Sequence, residues 1–145
     1  MMDKLYLVAR IADTRVALRS RSINSVVTVG TPIEVPAAPP HVAGLFALRS
    51  RVFTLIDPHV VVGLSSVPVA PGQRVVVVDV AEHGYALLAD EIEDVCFIDA
   101  PETRVTGKLL PGWARVAEAM IEHEGHSLLV VDPSHFITLP AARAA

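Results

Sequence analysis

The chain has 145 residues, 52% of them hydrophobic and only 5% aromatic, with a formal net charge of −4. That apolar content excludes a disordered chain and suits one domain or two small, closely packed subdomains. The negative charge, the scarcity of aromatics and the lack of a basic run beyond Arg15, Arg19 and Arg21 argue against nucleic-acid binding.

Val and Ile dominate the apolar residues, which favours strands over helices. No segment has the length of a membrane span, and Met1-Met2-Asp3-Lys4 has no secretory pattern, so a cytoplasmic protein without direct membrane insertion is expected. Cys96 is the one cysteine, which excludes an intrachain disulfide; between Val95 and Phe97 it reads as an inert small hydrophobe.

Residues 5–11 form a mostly apolar strand, turned by Asp13-Thr14 and returning over 15–18. Residues 22–27 suit one helical turn, capped by Ser22, because Ile23, Val26 and Val27 share a face at i, i+3 and i+4. A third strand is expected over 28–35, at a sheet edge because of Pro32. Pro36-Ala37-Ala38-Pro39-Pro40 is an extended spacer. Two apolar runs, 45–48 and 52–56, flank the polar turn Arg49-Ser50-Arg51 and read as a hairpin. Asp57 before Pro58 is an N-cap signal for a short helix that Gly63 ends.

A crossover follows over 65–72, rich in proline and glycine. Residues 73–80 and 85–89 make another hairpin, turned by Glu82-His83-Gly84. Residues 90–94 take the place of the earlier helical turn, 95–99 are the next strand, and 101–112 are a loop. Over 113–122 two signals conflict. Trp113, Val116, Ala117, Met120 and Ile121 recur at helical spacing, whereas the internal repeat places a strand at 119–122; the strand is the expectation taken.

That repeat has two parts. Residues 9–29 lie on 78–98 without a gap at a shift of 69, with Ala12, Ala17, Leu18, Ile23 and Val26 matching Ala81, Ala86, Leu87, Ile92 and Val95. Residues 53–64 lie on 128–139 at a shift of 75, with Asp57-Pro58 on Asp132-Pro133. Two collinear matches argue for one structural unit built twice. The predicted fold is therefore mainly β, two packed β subdomains with short helices. The first covers about 5–64, with 133–139 packing back on it, and the second about 73–132.

The residues offer no constellation for catalysis and nothing that calls for a cofactor. No phosphate-binding glycine loop or Gly-x-Ser-x-Gly elbow is present. His123 and His126 are three apart over a glycine, and a zinc helix needs four. A small metal-dependent hydrolase using His123, His126 and Asp132 is the alternative from another functional class, and it requires those three to converge. His59 and His135 read as partly exposed helix residues. Asp57 and Asp132 read as caps, and Asp90-Glu91 with Glu93-Asp94 as a solvated acidic face.

Gly44-Leu45-Phe46-Ala47-Leu48-Arg49-Ser50, followed by 52–57, is similar to a family run of Gly-hydrophobic-x-Asn-Leu-Arg-Gly and a strand ending in Asp-Leu. Pro39-Pro40-His41-Val42 and Ala89-Asp90-Glu91-Ile92 fit as well. On these motifs the chain resembles the CheW-type chemotaxis coupling proteins, from Leu5 to about Leu139. Ala47 and Ser50 depart from the family's Asn and Gly, and Pro58-His59 from its Leu-Arg. The resemblance implies two five-stranded SH3-like barrels in a single CheW-like domain over 1–145, and no enzymatic activity. It implies two partners, the cytoplasmic tip of a chemoreceptor (a methyl-accepting chemotaxis protein) and the regulatory domain of a CheA-type histidine kinase. It also implies partner-binding roles for Arg49, Ile23, Ile92 and Val95. On the residues alone, Arg49 reads equally as a solvated turn residue, and Ile23, Ile92 and Val95 as core.

Overall fold

Short β-branched runs broken by two-residue turns leave little room for anything but strands. The computed structural model describes residues 4–137. Its strands are β1 (Leu5–Ile11), β2 (Thr14–Arg19), β3 (Ser25–Thr28), β4 (Val42–Leu48), β5 (Arg51–Ile56), β6 (Arg74–Val80), β7 (His83–Leu88), β8 (Glu91–Phe97), β9 (Ala117–His123) and β10 (His126–Val131). Two short helices, α1 (Pro58–Val61) and α2 (Pro111–Val116), and 3-10 turns at Ser20–Ser22 and Pro133–Phe136 complete it. Among the described residues no helix is long and apolar enough to cross a membrane.

The predicted duplication holds to the residue. Adding 69 to β1, β2 and β3 gives segments within β6, β7 and β8; adding 75 to β4, β5 and α1 gives β9, β10 and the Pro133–Phe136 turn. Register repeats too. The antiparallel pair Leu7↔Val95 has its counterpart in Val26↔Val76, and the parallel pair Leu129↔Val16 in Thr54↔Tyr85. Residues Thr138 and Leu139 of the expected repeat lie outside the described residues.

The strands are nevertheless shared out differently from the expected division at 5–64 and 73–132. One five-stranded sheet runs β8-β1-β2-β10-β9 and the other β3-β6-β7-β5-β4. Each is built on the opening hairpin of one copy and takes its third strand and closing hairpin from the other. The copies are thus intertwined rather than adjacent. Apolar alternation dictates which side chains face inward, but it does not name the strand that pairs.

Both faces of the central strands are buried, as their near-continuous apolar sequences require. In β1, Tyr6 and Val8 enter a core private to the first sheet, with Ala17, Ile121, Leu128 and Val130. Leu7, Ala9 and Ile11 enter a core shared by both sheets, with Ile56, Val76, Val78, Leu87 and Val131. In β6, Val75 and Val77 fill the second sheet's private core beside Phe46 and Phe53. Trp113 and Phe136 close the shared core edge to face, with ring centroids 6.2 Å apart; such a pair adds about 0.5–1.5 kcal/mol to its area burial.

Several local expectations shift. Four hairpins turn on two residues that both have positive φ: Ala12-Asp13, Arg49-Ser50, Ala81-Glu82 and Glu124-Gly125. These are type I′ turns, whose twist suits paired strands. Arg51, His83 and Gly84 therefore belong to strands. Residues 22–27 are not a helical turn, because the 3-10 turn ends at Ser22 and β3 follows. The strand expected over 28–35 ends at Thr28, leaving Ile33 in a lone bridge to Leu45. Residues 90–94 are mostly strand, continuous with 95–97 as β8. Over 113–122 both signals are realised in succession, helix to Val116 and strand from Ala117.

Two glycines have packing reasons. A Cβ at Gly44 would lie 2.7 Å from the Ile33 carbonyl oxygen, and one at Gly112 would lie 2.3 Å from Val62 Cα. The latter is where α2 meets the end of α1.

Candidate functional site

β8 ends the first sheet and β3 ends the second. The turn Ser20–Ser22 carries the chain from β2 to β3, and Asn24 N–H donates to the Val77 carbonyl at 2.8 Å to seat that strand on β6. Between these two sheet ends lies a shallow groove of about 220 Å³, lined by Leu7, Ser20, Ile23, Ser25, Val26 and Val95 among others. Its walls are apolar and its rim carries hydroxyls.

Ile23 and Val95 thus come together in one groove, and Val26, the repeat counterpart of Val95, joins them. Ile23, Val26 and Ile92 are half-buried against the shared core. Ile92 is not among the residues lining the groove. Val95 is 56% exposed and Phe97, two residues on, is 54% exposed. Neighbouring exposed apolar side chains on a sheet-end strand are an uncommon surface and a candidate for association. The residues that sequence reasoning left out here are Leu7, Val26 and Phe97. Val26 had a signal in its identity with Val95 across the repeat.

Charge fixes the groove's outer strand. Arg15 donates to both oxygens of Glu93 at 2.8 and 2.9 Å, and Arg10 lies 3.9 Å from Glu91. The Arg15 hydrogen bonds hold the Glu93 carboxyl below the usual carboxylate range. The Asp13 amide donates to Asp90 at 2.8 Å. The stretch 90–94 is therefore not simply a solvated acidic face, since three of its acids clamp β8 to the first hairpin.

A second network sits at the far end of β2. Arg19 grips Glu102 with two donors, at 2.7 and 3.0 Å, and reaches Glu118 with a third. Tyr6 donates its hydroxyl to Glu102 at 2.6 Å. Burial, then that bond to Glu102, pushes the Tyr6 phenol up to about 12. Arg19 holds the Glu102 carboxyl below its ordinary value.

Arg49 is exposed at the β4–β5 turn, in the second sheet and outside the groove. Its neighbour Arg51 is committed internally, 3.0 Å from Asp79 and 4.8 Å above the Phe53 ring. Arg49 has no hydrogen bond or ion pair among the described residues, so its five donors face solvent.

The aspartates act as caps. Asp57, 1% exposed, accepts from the His59 amide at 2.9 Å and the Val67 amide at 3.2 Å. Asp132 accepts from the Ser134 amide at 3.0 Å and its hydroxyl at 2.9 Å. His59 is more enclosed than its helix position suggested, with its ring between Asp57 at 3.3 Å and Asp90 at 3.5 Å. His123 and His126 face each other across β9 and β10 beside the turn, whereas Asp132 follows the opposite end of β10. About 20 Å of strand separates them, at 3.3 Å per residue. The convergence that a hydrolase built on His123, His126 and Asp132 requires is not present.

A family model described as a CheW-like domain matches residues 5–141. Among solved structures, the chain is similar to the scaffolding protein TtCheW from Thermoanaerobacter tengcongensis, with a TM-score of 0.77 and 16% identity over 94% of each chain. At that identity the likeness concerns the fold. No curated protein matches the chain.

Proposed function

The chain belongs to the CheW-like domain family, a family of non-catalytic chemotaxis scaffolds, and on that premise we propose that it is an adaptor joining a chemoreceptor's cytoplasmic tip to the regulatory domain of a CheA-type histidine kinase. The observation that carries this reading is the apolar groove between the ends of the two sheets, with Val95 more than half exposed in its wall. A receptor tip is a helical hairpin. A helix lays an apolar stripe into a groove through residues at i, i+3, i+4 and i+7. Ile23, Val26 and Val95 supply anchors for such a stripe, and Ile92 supports them from the core.

Arg49 supplies a polar contact apart from the groove. At a turn tip it is solvated in the free protein, and in a complex its planar fork can grip a carboxylate or several carbonyl oxygens. Its distance in the fold from the groove suits a second partner, the kinase regulatory domain. Such an adaptor works in the cytoplasm beside the receptor array and needs neither cofactor nor turnover.

Co-sedimentation with a receptor-tip fragment and the kinase regulatory domain tests the proposal. The expected result is that the chain enters the pellet with both and raises the amount of kinase domain recovered with the receptor. A folded chain that stays in the supernatant with either fragment would refute it.

A further inference from the structure

We propose that Glu118, Asp132 and His135 form a binding site for a divalent transition-metal ion of the zinc class. One ligand atom from each lies within 4.8 Å of the other two. His135 Nε2 is 3.6 Å from Glu118 Oε2. That is too long for a hydrogen bond. It is close to the gap of about 3.4 Å between two ligands of a tetrahedral ion with bonds of about 2.0–2.1 Å.

The ligand atoms are left available by what their neighbours do. His135 Nδ1 lies 3.4 Å from the Val116 carbonyl oxygen, outside the cluster. A carbonyl only accepts, so this contact suits a proton on Nδ1, and in the neutral imidazole the other nitrogen, Nε2 on the Glu118 side, is then the one to ligate. Metal-bound histidines are oriented by such a backbone carbonyl in many sites. Glu118 gives one oxygen to Arg19 and presents the other to His135. Asp132 caps Ser134 through Oδ1 alone and has a second oxygen to offer. One imidazole nitrogen with two carboxylates selects zinc-like ions over calcium or magnesium, which prefer oxygen alone. Charge agrees: Arg19 is shared between Glu102 and Glu118, and with Asp132 these carboxylates outnumber it three to one, which leaves negative charge to offset a divalent ion.

The repeat separates this site from the fold's own needs. Asp132 and its counterpart Asp57 both cap a turn, but Ala43 stands opposite Glu118 and Val60 opposite His135. Capping explains the aspartate in both copies; Glu118, which also pairs with Arg19, and His135 are particular to the second. A bound ion would tie the Pro133–Phe136 turn to β9.

Titrating the purified full chain with zinc chloride by calorimetry, and with cobalt(II) by visible absorption, tests the site. One ion per chain is expected, with Glu118→Gln and His135→Ala each weakening uptake by at least ~10-fold. Asp132→Asn, which keeps a capping oxygen, should weaken it as well. A His123→Ala/His126→Ala double variant should bind like the unaltered chain. Melting curves without metal establish that each variant is folded. Lack of saturable uptake, uptake that survives Glu118→Gln or His135→Ala, or uptake lost in the His123/His126 double variant would each overturn the proposal.

Discussion

The closing unit of the first copy, β4–β5–α1, and that of the second, β9–β10 with its 3-10 turn, share a backbone plan and differ in what they carry. Both turn on a type I′ pair, and both end in an aspartate cap followed by proline. Those features are what the fold requires. The first unit presents an uncommitted arginine at its turn, and its cap Asp57 is sealed under Val67 and His59. The second has Glu124 at that turn position and a half-exposed cap beside Glu118 and His135. In these closing units repetition marks the scaffold and divergence marks the candidates for function, whereas the groove uses residues that both copies share, Val26 and Val95.

The sharpest asymmetry is at Gly112, whose counterpart is Ala37. Ala37 already carries a Cβ, whereas one at Gly112 would fall 2.3–2.4 Å from the Val62 backbone. Gly112→Ala is expected to cost ~3 kcal/mol, at the upper end of overpacking effects. Chemical denaturation measures it; a loss below ~1 kcal/mol would mean that α2 and α1 separate easily.

The caps come next. Asp57→Ala strands two backbone donors beside a fully buried carboxylate, whereas Asp132→Ala affects one backbone amide and a hydroxyl at a partly exposed position. Losses of ~2 and ~1 kcal/mol follow. Equal losses, or the reverse order, would remove the distinction between a sealed and an open cap.

The sheets differ in what braces them: Arg19, Glu102 and Tyr6 in the first, and the Phe46–Phe53 stack in the second. Glu102 titrates below its ordinary value when folded. Its stabilisation is therefore present above the unfolded pKa of about 4.3 and is lost as pH falls through the lower folded value. Glu102→Gln should cost ~1 kcal/mol at pH 7, discounted for partial exposure, and the deficit should vanish with acidification. A deficit independent of pH would show packing, not charge, to be responsible.

The turns give the smallest stability effect. Arg49-Ser50 places two residues with side chains in the left-handed region, while Glu124-Gly125 has glycine in the second place. Ser50→Gly should stabilise by ~0.5 kcal/mol, the left-handed strain relieved less the entropy of glycine. A lower melting temperature would show that Ser50 makes contacts that outweigh its strain.

Much of this was legible in the sequence. The shifts of 69 and 75 marked the opening and closing hairpins of both copies, and the two Asp-Pro steps located the caps, whereas β3 and the first half of β8 read as helical turns. The exchange of β3 and β8 between sheets was not legible, because strands such as β1 and β6 are apolar on both faces and specify no neighbour. Turn positions slipped by one or two residues, since Ala12, Arg49, Ala81 and Glu124 occupy a conformation that glycine or asparagine normally signals. Ile23, Val26 and Val27 have helical spacing but lie at the entry to and within a strand, and so short a segment cannot separate the two periods. Ile23 and Val95 were reached through family resemblance and meet in one groove. Glu118 and His135 are 17 positions apart and meet only because β10 folds back on β9.

The groove is the proposed seat of the receptor tip. Calorimetric titration of a receptor-tip hairpin into the unaltered chain and into Val95→Glu tests it most directly. Val95 is exposed in the free protein, so the variant should keep its melting temperature, while a charge in an apolar contact should cost ~2 kcal/mol or more of binding. Unchanged affinity in a folded Val95→Glu variant would contradict the assignment of the groove.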